Sequence, residues 1–338
     1  MKLLLPVLGL QAALIASSQA LIISLNATPG MDANALLGFQ SAANYWQSKF
    51  NDDVTVNIDV GFSALDPGVL GSAGSATEVF GLADVRAALI GDASTAIDTL
   101  AIGNLPALSI LGGMGFLTQV NSETGNTAAS LDDDDSNNNR FLALNTANAK
   151  ALGWVAPDPA AADASITFSS LFSWDFDQSD GVDDGLQDFV GVAIHEIGHA
   201  LGFVSGVDSV DFFIGNAGVD LDNFAVFSTL DMFRYSAPGS LNLAAGSDAY
   251  FSLDGGATNL GSFSTGSFNG DGEQASHWKD NLGLGIMDPT ANPPGESNLP
   301  SALDLIAFDA IGWDLVPEPS SSLLGVLGGL VAVMRRRR

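Results

Sequence analysis

One segment of the chain combines two histidines and a glutamate, in the order His195, Glu196 and His199. The residues around them are mostly Val, Ala, Ile and Leu, and Gly202 follows, which predicts a helix ended by a glycine. Positions i and i+4 of a helix share a face, so both imidazoles can reach a single metal ion. Glu196 can then take a proton from a water that the metal activates. This H-E-x-x-H pattern is typical of zinc hydrolases and predicts a zinc site.

A chance match is the alternative interpretation of so short a pattern, with both histidines packed in the core. The chain has three histidines in all, and two of them fall at ligand spacing in a segment with few other polar side chains. An unpaired imidazole buried there would cost free energy. We therefore favour the metal site.

A catalytic zinc needs a third protein ligand. In the longer form H-E-x-x-H-x-x-G-x-x-H the third histidine would fall at Ser205, and serine is a poor zinc ligand. Residues 200–272 contain no glutamate. His277 is the remaining histidine and the favoured ligand; an ordinary exposed loop histidine is the alternative, which would leave Asp208 or Asp211 as the ligand.

The residues around His277 add a second pattern. Ser276-His277-Trp278 is followed by Met287, ten residues after the histidine. With this arrangement the chain resembles the leishmanolysin family of metzincins, in which a long insertion separates the first two histidines from the third. The resemblance covers the helix and the segment from His277 to Met287, and the rest of the chain only loosely.

The resemblance implies a role for each of these residues. It implies zinc binding by His195, His199 and His277. It also implies that Glu196 is the general base and that Met287 forms the Met-turn, the hydrophobic floor beneath the metal.

The resemblance further implies an α+β fold of the metzincin-like zincin type. The catalytic domain would span residues 21–315. An upper lobe, about 21–202, would hold a twisted mixed sheet and the active-site helix. An irregular lower lobe, about 203–315, would hold the Met-turn and a C-terminal helix.

Hydrophobic periodicity predicts the elements that position these residues. Helices are expected at 34–50, 84–100 and 301–313. Strands are expected at 54–62 and 164–170, and by the family likeness the latter would be the sheet edge along which an extended substrate lies.

The long insertion must bury apolar surface of its own, so we expect its aromatic residues in the core. These aromatic residues are Phe212, Phe213, Phe224 and Phe227. Arg234 is one of few basic residues, and we expect it to pair with Asp231 or, as the alternative, with a substrate terminus.

Two acidic segments raise the question of calcium. The first supplies five carboxylates at short intervals, as a calcium loop requires: Asp175, Asp177, Asp180, Asp183 and Asp184. A solvated acidic turn before the zinc helix is an equal alternative. The second, Asp132 to Asp135, has no apolar residue within the run to anchor it, and we expect a flexible surface loop.

Both chain ends resemble targeting signals. Residues 1–20 have a lysine, an apolar stretch and a small-x-small end, which predicts a signal peptide, export through the Sec pathway and removal by signal peptidase. Residues 316–338 contain Pro-Glu-Pro, a short apolar stretch and four arginines. This tail resembles the PEP-CTERM sorting signal of Gram-negative bacteria, which implies an exosortase-type sorting enzyme, transient membrane association and a final location at the cell surface or in the extracellular matrix. A plain tail anchor is the alternative.

Composition agrees with export and restricts the partners. The chain has no cysteine, so disulfides cannot stabilise it. Its formal net charge of −28 disfavours nucleic acid and anionic membranes as partners.

We therefore expect a secreted zinc-dependent endopeptidase that acts on protein or peptide substrates, with zinc as its cofactor and calcium as a further candidate. A non-catalytic matrix or biofilm protein stabilised by zinc or calcium is the alternative. A structural zinc site is closed by four ligands and has no use for a base such as Glu196. A hydrolase for non-peptide substrates would share the same site.

Overall fold

The computed structural model describes residues 21–122, 128–156, 158–216 and 218–317. The expected signal peptide at 1–20 and the tail beyond residue 317 lie outside the described residues. Within them the chain mixes helices with several small sheets, which confirms the α+β class. No helix of the described part is long and apolar enough to cross a membrane.

The strands in chain order are β1 (Ile22–Ala27), β2 (Thr55–Ser63), β3 (Gly71–Ser75), β4 (Thr77–Gly81), β5 (Phe116–Thr118), β6 (Ser130–Asp132), β7 (Phe141–Asn145), β8 (Ala164–Ser169), β9 (Trp174–Asp175), β10 (Gln187–Asp188), β11 (Arg234–Ala237), β12 (Ser240–Leu241), β13 (Tyr250–Phe251) and β14 (Gly261–Ser262). The helices are α1 (Ala33–Gln47), α2 (Leu82–Asp92), α3 (Ala96–Gly103), α4 (Asn137–Arg140), α5 (Thr146–Ala151), α6 (Phe189–Ala200), α7 (Val207–Phe213) and α8 (Ala302–Ala310), with 3₁₀ turns at Leu221–Asn223 and Leu230–Phe233.

The principal sheet has four strands in the order β1-β2-β8-β3. The first three are parallel, and β3 runs antiparallel to β8 at the edge. The expectation that the strand at 164–170 forms the edge is therefore wrong, because β8 lies inside the sheet. The edge strand consists of glycine, serine and alanine, so it carries no alternation of apolar side chains that a sequence pattern could reveal.

The remaining sheets are small. β4 pairs with β7 and β5 with β6, each antiparallel, and the short strands β9 and β10 pair in parallel. In the C-terminal part, β12, β11, β13 and β14 form an antiparallel sheet in that order. Irregular chain dominates between these short strands.

Helices α1 and α6 contact each other and lie against the principal sheet. Asp32 caps α1 by accepting the amides of Asn34 and Ala35. The indole of Trp46 donates to the Ile194 carbonyl of α6 at 3.0 Å. At Gly38 a Cβ would lie 2.4 Å from the Phe189 ring, so only glycine lets the two helices approach this closely. Packing against α1 thus fixes the position of α6.

The single helix expected at 84–100 is two helices, α2 and α3. Helix α3 begins with a capping box. The Thr95 side chain accepts the backbone amide of Asp98, and the Asp98 side chain accepts the backbone amide of Thr95. Apolar residues recur at helical spacing on both sides of this turn, so periodicity alone predicted one continuous helix.

The C-terminal helix α8 forms where the sequence predicts it. Ser301 caps it with a capping box to Asp304. Phe308 packs edge-on against Trp46, with ring centroids 4.7 Å apart. The Trp313 indole donates to the carbonyl of Leu201 at 2.9 Å. The end of the described chain therefore packs beneath α6.

Two expectations about the surface are met only in part. Asp133 and Asp134 of the acidic run are exposed, but Asp132, which starts the run, is fully buried and is hydrogen-bonded to the buried Asn138 at 2.9 Å. Polar side chains, not apolar ones, anchor it. Among the aromatic residues of the insertion, Phe227 is buried as expected, but Phe212 and Phe224 are 63% and 54% exposed.

Candidate metal centre

Helix α6 carries the first two histidines, and its N-terminus is firmly held. The Asp188 side chain caps it by accepting the Gly191 amide at 2.9 Å. The same carboxylate accepts the amide of Asn298 at 2.7 Å, which ties a distant loop to the helix start. The apolar residues of α6 are buried, whereas His195, Glu196 and His199 are partly exposed on the face that meets a cleft.

The structure brings all three histidines together. The Nε2 atom of His199 lies 3.0 Å from that of His195 and 3.0 Å from that of His277. The Nε2 atoms of His195 and His277 are 3.3 Å apart. Together the three residues could hold a metal ion, and they are the one such group of His, Cys, Asp and Glu side chains within the described ranges.

Backbone carbonyls orient each ring from behind. The Nδ1 atom of His195 lies 2.7 Å from the Ile286 carbonyl, and that of His199 lies 2.7 Å from the Phe203 carbonyl. The Nδ1 atom of His277 lies 3.2 Å from the carbonyl of Gln274. A carbonyl accepts but cannot donate, so each Nδ1 must carry the proton in a neutral ring. Each Nε2 then presents a lone pair to the centre, as metal-bound histidines do.

The nitrogen spacing fits a tetrahedral ion. Zinc–nitrogen bonds of about 2.0–2.1 Å at tetrahedral angles place ligand nitrogens about 3.3–3.4 Å apart. Three lone pairs at close range cannot be hydrogen-bonded to one another, so a cation is what would hold them together. Burial lowers the pKa of His277 to about 3, with His195 adding to the effect. Burial likewise lowers the pKa of His199 well below its usual value, so both rings stay neutral and available.

Glu196 lies beside the three histidines, and its pKa is shifted upward, whereas the pKa values of His199 and His277 are shifted downward. Burial raises the pKa of its carboxyl, while His195 lowers it. Its Oε1 atom would lie 3.3 Å from a Cβ built on Gly71, the first residue of the edge strand β3. A carboxylate that is shielded from water and has a raised pKa suits proton transfer near neutral pH.

Met287 lies under α6, at the place where the resemblance to leishmanolysins implies a Met-turn. It is fully buried, and its carbonyl accepts the Trp278 amide at 2.9 Å. A Cβ on Gly198 would lie 2.6 Å from the Met287 sulfur, so glycine at this point of α6 leaves the space that the methionine fills.

A buried carboxylate of α8, Asp304, holds this turn and the loop of the third histidine together. It accepts the amides of Ile286 at 2.9 Å, Met287 at 3.3 Å and Ser301 at 2.6 Å. It also accepts the indole N–H of Trp278, next to His277, at 2.8 Å. One side chain thus positions both the floor and the third histidine.

A second carboxylate, Asp208 of α7, holds the other end of the loop. It accepts the amide of Ala275 at 2.6 Å and the hydroxyl of Ser276. The Ser276 hydroxyl in turn accepts the amide of Ser205 at 2.8 Å. Ser205, which stands where the longer motif has a histidine, therefore serves to anchor the loop that carries His277.

Arg234 does not form the expected ion pair. No carboxylate lies within 4 Å of its guanidinium in the described part of the chain. It donates to the carbonyls of Ser264 at 2.7 Å and Ala275 at 3.3 Å, and Asp231 accepts amides and the Ser205 hydroxyl instead. Arg234 is buried, with 1% exposure, so it cannot meet a substrate terminus. It supports the loop before His277 from below.

The alternative third ligands are engaged elsewhere. Asp208 binds the loop just described, and Asp211 accepts the amides of Phe268 and Asn269 at 2.8 Å.

In the acidic loop, Asp175 accepts the amides of Asp177 at 2.9 Å and Asp183 at 2.8 Å. Four of the loop carboxylates are exposed, and they form no close metal-binding group within the described residues: Asp177, Asp180, Asp183 and Asp184.

The cleft passes on both sides of the histidines. Gly71, His195, Glu196 and Pro289 line both halves of it. Towards one end it follows the loop from Gly283 to Leu299, and towards the other it follows β3 and the α6–α7 connection. The edge strand therefore runs along the cleft beside the metal centre.

Sequence reasoning missed Asp304, and it considered Asp208 only as an alternative metal ligand. The S-x-x-D pattern of Ser301 and Asp304 could have revealed the helix cap, but it does not reveal that the same carboxylate reaches Met287 and Trp278.

Comparison with protein-family profiles, with curated proteins and with solved structures found no match for this chain.

Proposed function

We propose that the chain is a secreted, zinc-dependent endopeptidase of the metzincin type. The observation that carries the proposal is the convergence of the three Nε2 atoms beside Glu196, in a cleft that an edge strand borders. Three ligands rather than four are expected of a catalytic site, which keeps one position open. The resemblance to leishmanolysins supports the same conclusion.

Each residue has a defined part in this proposal. His195, His199 and His277 hold the zinc. A zinc ion bound there supplies Lewis-acid polarisation of a peptide carbonyl and acidifies water near it. Glu196 accepts the proton of the attacking water and passes it to the leaving amine.

The edge strand β3 orients the substrate. Its outer backbone groups are not paired within the sheet, so an extended peptide can add to it as a further strand. This places a peptide backbone along the cleft and past Glu196. The strand has only small side chains, which leaves room for the side chains of the peptide.

Export and sorting complete the proposal. Residues 1–20 direct the chain through the Sec pathway, and the tail at 316–338 is the substrate of an exosortase-type enzyme. The enzyme then acts at the cell surface or in the extracellular matrix.

Metal analysis combined with hydrolysis tests the proposal. The parent is expected to bind about one zinc per chain and to cleave an unfolded protein such as casein. Glu196→Ala should keep the zinc and lose about 10²–10⁴-fold in kcat, because only the general base is removed. His277→Ala should lose both zinc affinity and hydrolysis.

The outcomes separate the competing hypotheses. Hydrolysis by Glu196→Ala at the parental rate would refute the mechanism. Unchanged zinc and activity in His277→Ala would refute the third ligand. Zinc in the parent with no exchangeable water at the metal and no hydrolysis of any protein would favour a non-catalytic matrix protein.

A further inference from the structure

A second group of titratable side chains lies away from the cleft. Four aspartates form it, and we name them the aspartate cluster: Asp52, Asp92, Asp309 and Asp314. Asp52 lies in the turn between α1 and β2, and Asp92 is the last residue of α2. Asp309 lies near the end of α8, and Asp314 follows that helix. Three distant parts of the chain meet here.

Hydrogen bonds from amides and hydroxyls hold the segments that carry these aspartates together. The Asp314 amide donates to the Asp52 carboxylate at 3.1 Å. The hydroxyl of Ser94 donates to the Asp314 carboxylate, and the hydroxyl of Thr95 donates to Asp309 Oδ2 at 2.7 Å. Hydroxyl and carboxylate oxygens therefore crowd around the turn between α2 and α3.

No basic side chain neutralises these charges. The ion pairs of the described residues involve Lys150 and Lys279, and none reaches the cluster. Lys49 is close in sequence, but its ammonium lies over the Tyr45 ring, 5.2 Å from the centroid. The fifth nearby carboxylate, Asp98, accepts the amides of Ser94 and Thr95 and adds further negative charge.

The pKa values of the cluster reflect this repulsion. Burial, with smaller contributions from the charges of Asp314 and Asp92, raises the pKa of Asp52 to about 8. Burial raises the pKa of Asp92 to about 7, with contributions from Asp314, Asp98 and Asp309. Burial also raises the pKa of Asp309 to about 7, opposed by the Thr95 hydroxyl and the Leu315 amide.

Asp309 provides an independent indication of a ligand. Its side chain is 1% exposed, and its Oδ1 atom is buried with no hydrogen-bond partner. Its other oxygen faces Thr95, so the carboxylate is directed into the cluster. A buried, unpartnered carboxylate oxygen costs free energy unless a cation binds it. Helices α2 and α8 both end here, and their C-terminal dipoles favour positive charge as well.

We propose that the aspartate cluster binds one calcium ion. Calcium takes carboxylate, hydroxyl and carbonyl oxygens in flexible geometry, whereas magnesium demands near-ideal octahedral geometry and gives up its water reluctantly. No three carboxylates of the described chain have oxygens that all lie within 4.8 Å of one another. The ion would therefore take hydroxyl and carbonyl oxygens together with carboxylate oxygens. The proposal is independent of the zinc chemistry and differs from the acidic loop at Asp175 to Asp184.

Calcium binding to the full-length chain tests the proposal, with zinc held constant and calcium depleted before titration. Equilibrium dialysis with radioactive calcium gives the stoichiometry, and thermal unfolding at pH 8 gives the stabilisation. The parent should bind one calcium more than Asp309→Asn, with an affinity in the range of about 10⁻⁴–10⁻³ M that extracellular sites show. Calcium at several times this concentration should raise the parental Tm by about 3 °C and leave that of the variant unchanged.

Asp53→Asn is the matched control, because Asp53 is exposed and adjacent to the cluster. It should bind calcium as the parent does. If Asp309→Asn does not fold, Asp92→Asn decides by the same criteria. Equal calcium uptake and equal Tm gain in the parent and the cluster variant would overturn the proposal. So would an equal Tm gain from magnesium or from sodium at matched ionic strength, since that is charge screening.

Discussion

The metal centre and the aspartate cluster are both groups of titratable side chains, but they are built in opposite ways. At the metal centre, three imidazoles converge to within 3.3 Å, and a carbonyl holds each ring from behind. Burial keeps two of them, His199 and His277, neutral. In the aspartate cluster, like charges face one another, and Asp52 and Asp309 have strongly raised pKa values. Neutral ligands can be held in place before an ion arrives, whereas carboxylates repel until one does.

This difference predicts opposite responses to substitution. Removing a side chain at the metal centre removes a ligand or its support and should weaken the protein's function. Removing a charge from the aspartate cluster without calcium should instead stabilise the fold. The following predictions test that contrast, beginning with the largest effect.

The largest effect is expected for His199→Ala. It removes the central imidazole, which contacts both of the others at 3.0 Å, so zinc should not be retained and hydrolysis should fall by at least about 10³-fold. Metal analysis and hydrolysis measure both. Gln274→Ala is the control for metal content, because His277 contacts the Gln274 backbone carbonyl and not its side chain. Zinc loss in the control would show that the ring is oriented in another way.

Asp304→Asn should have the next largest effect. It leaves one oxygen to serve four N–H donors from the Met-turn, the helix cap and Trp278, so the third histidine is held less well. Loss of such support at a metal site typically weakens affinity about 10–100-fold. Competition with a chromophoric zinc chelator measures it.

Asp309→Asn, on the same helix, is the matched control for this variant. It should change calcium binding and leave zinc affinity as in the parent. If both variants weakened zinc binding equally, the two sites would not be independent, and the comparison between them would fail.

Gly198→Ala should destabilise the fold by about 1–3 kcal/mol, the usual cost of overpacking. Its Cβ would lie 2.6 Å from the sulfur of Met287, which must then move away from the floor of the site. Gly91→Ala in α2 meets no atom within 4 Å, and it should stabilise by about 0.4–1 kcal/mol. Denaturant unfolding compares the two; equal signs would refute the close-approach argument.

The smallest effect concerns pH and the aspartate cluster. Burial raises the folded pKa of Asp52 to about 8, above its unfolded value near 3.8, so the folded state binds more protons between these two pH values. In calcium-free buffer, stability should therefore be fully present at acid pH and should decline as pH rises through about 8. Asp92, Asp98, Asp309 and Asp314 face the same region, and Lys49 faces away.

Asp52→Asn should flatten this decline and raise stability at pH 8 by about 1 kcal/mol after screening by water and salt. Urea unfolding at several pH values measures it. If the variant were less stable than the parent at pH 8, Asp52 would be needed as an anion. Added calcium should abolish the difference between parent and variant in the slope of stability against pH.

Local patterns made much of the molecule predictable. The helical spacing of His195 and His199, the start of α8 and the alternation in β2 are all properties of a few consecutive residues. His277 could be inferred because it is the one remaining histidine of the chain. The structure then brought it to the other two histidines.

The rest depends on contacts between distant segments. The edge strand β3 consists of residues without a side-chain preference, and its hydrogen bonds to β8 define it. Asp52 and Asp314 meet across 262 residues of chain, and neither has a neighbour in sequence that indicates the other. The burial of Asp132 could not be predicted, because its amide partner Asn138 is in turn held by the distant Asp222.

The hydrogen bonds of Asp304 also set an order of events during synthesis. A chain leaves the ribosome N-terminus first, so α6 with its two histidines emerges long before the carboxylate that fixes the Met-turn and Trp278. Until Asp304 has emerged and α8 has docked, the third histidine has no fixed place. If the chain is the proposed enzyme, a nascent chain should therefore lack activity until α8 is in position.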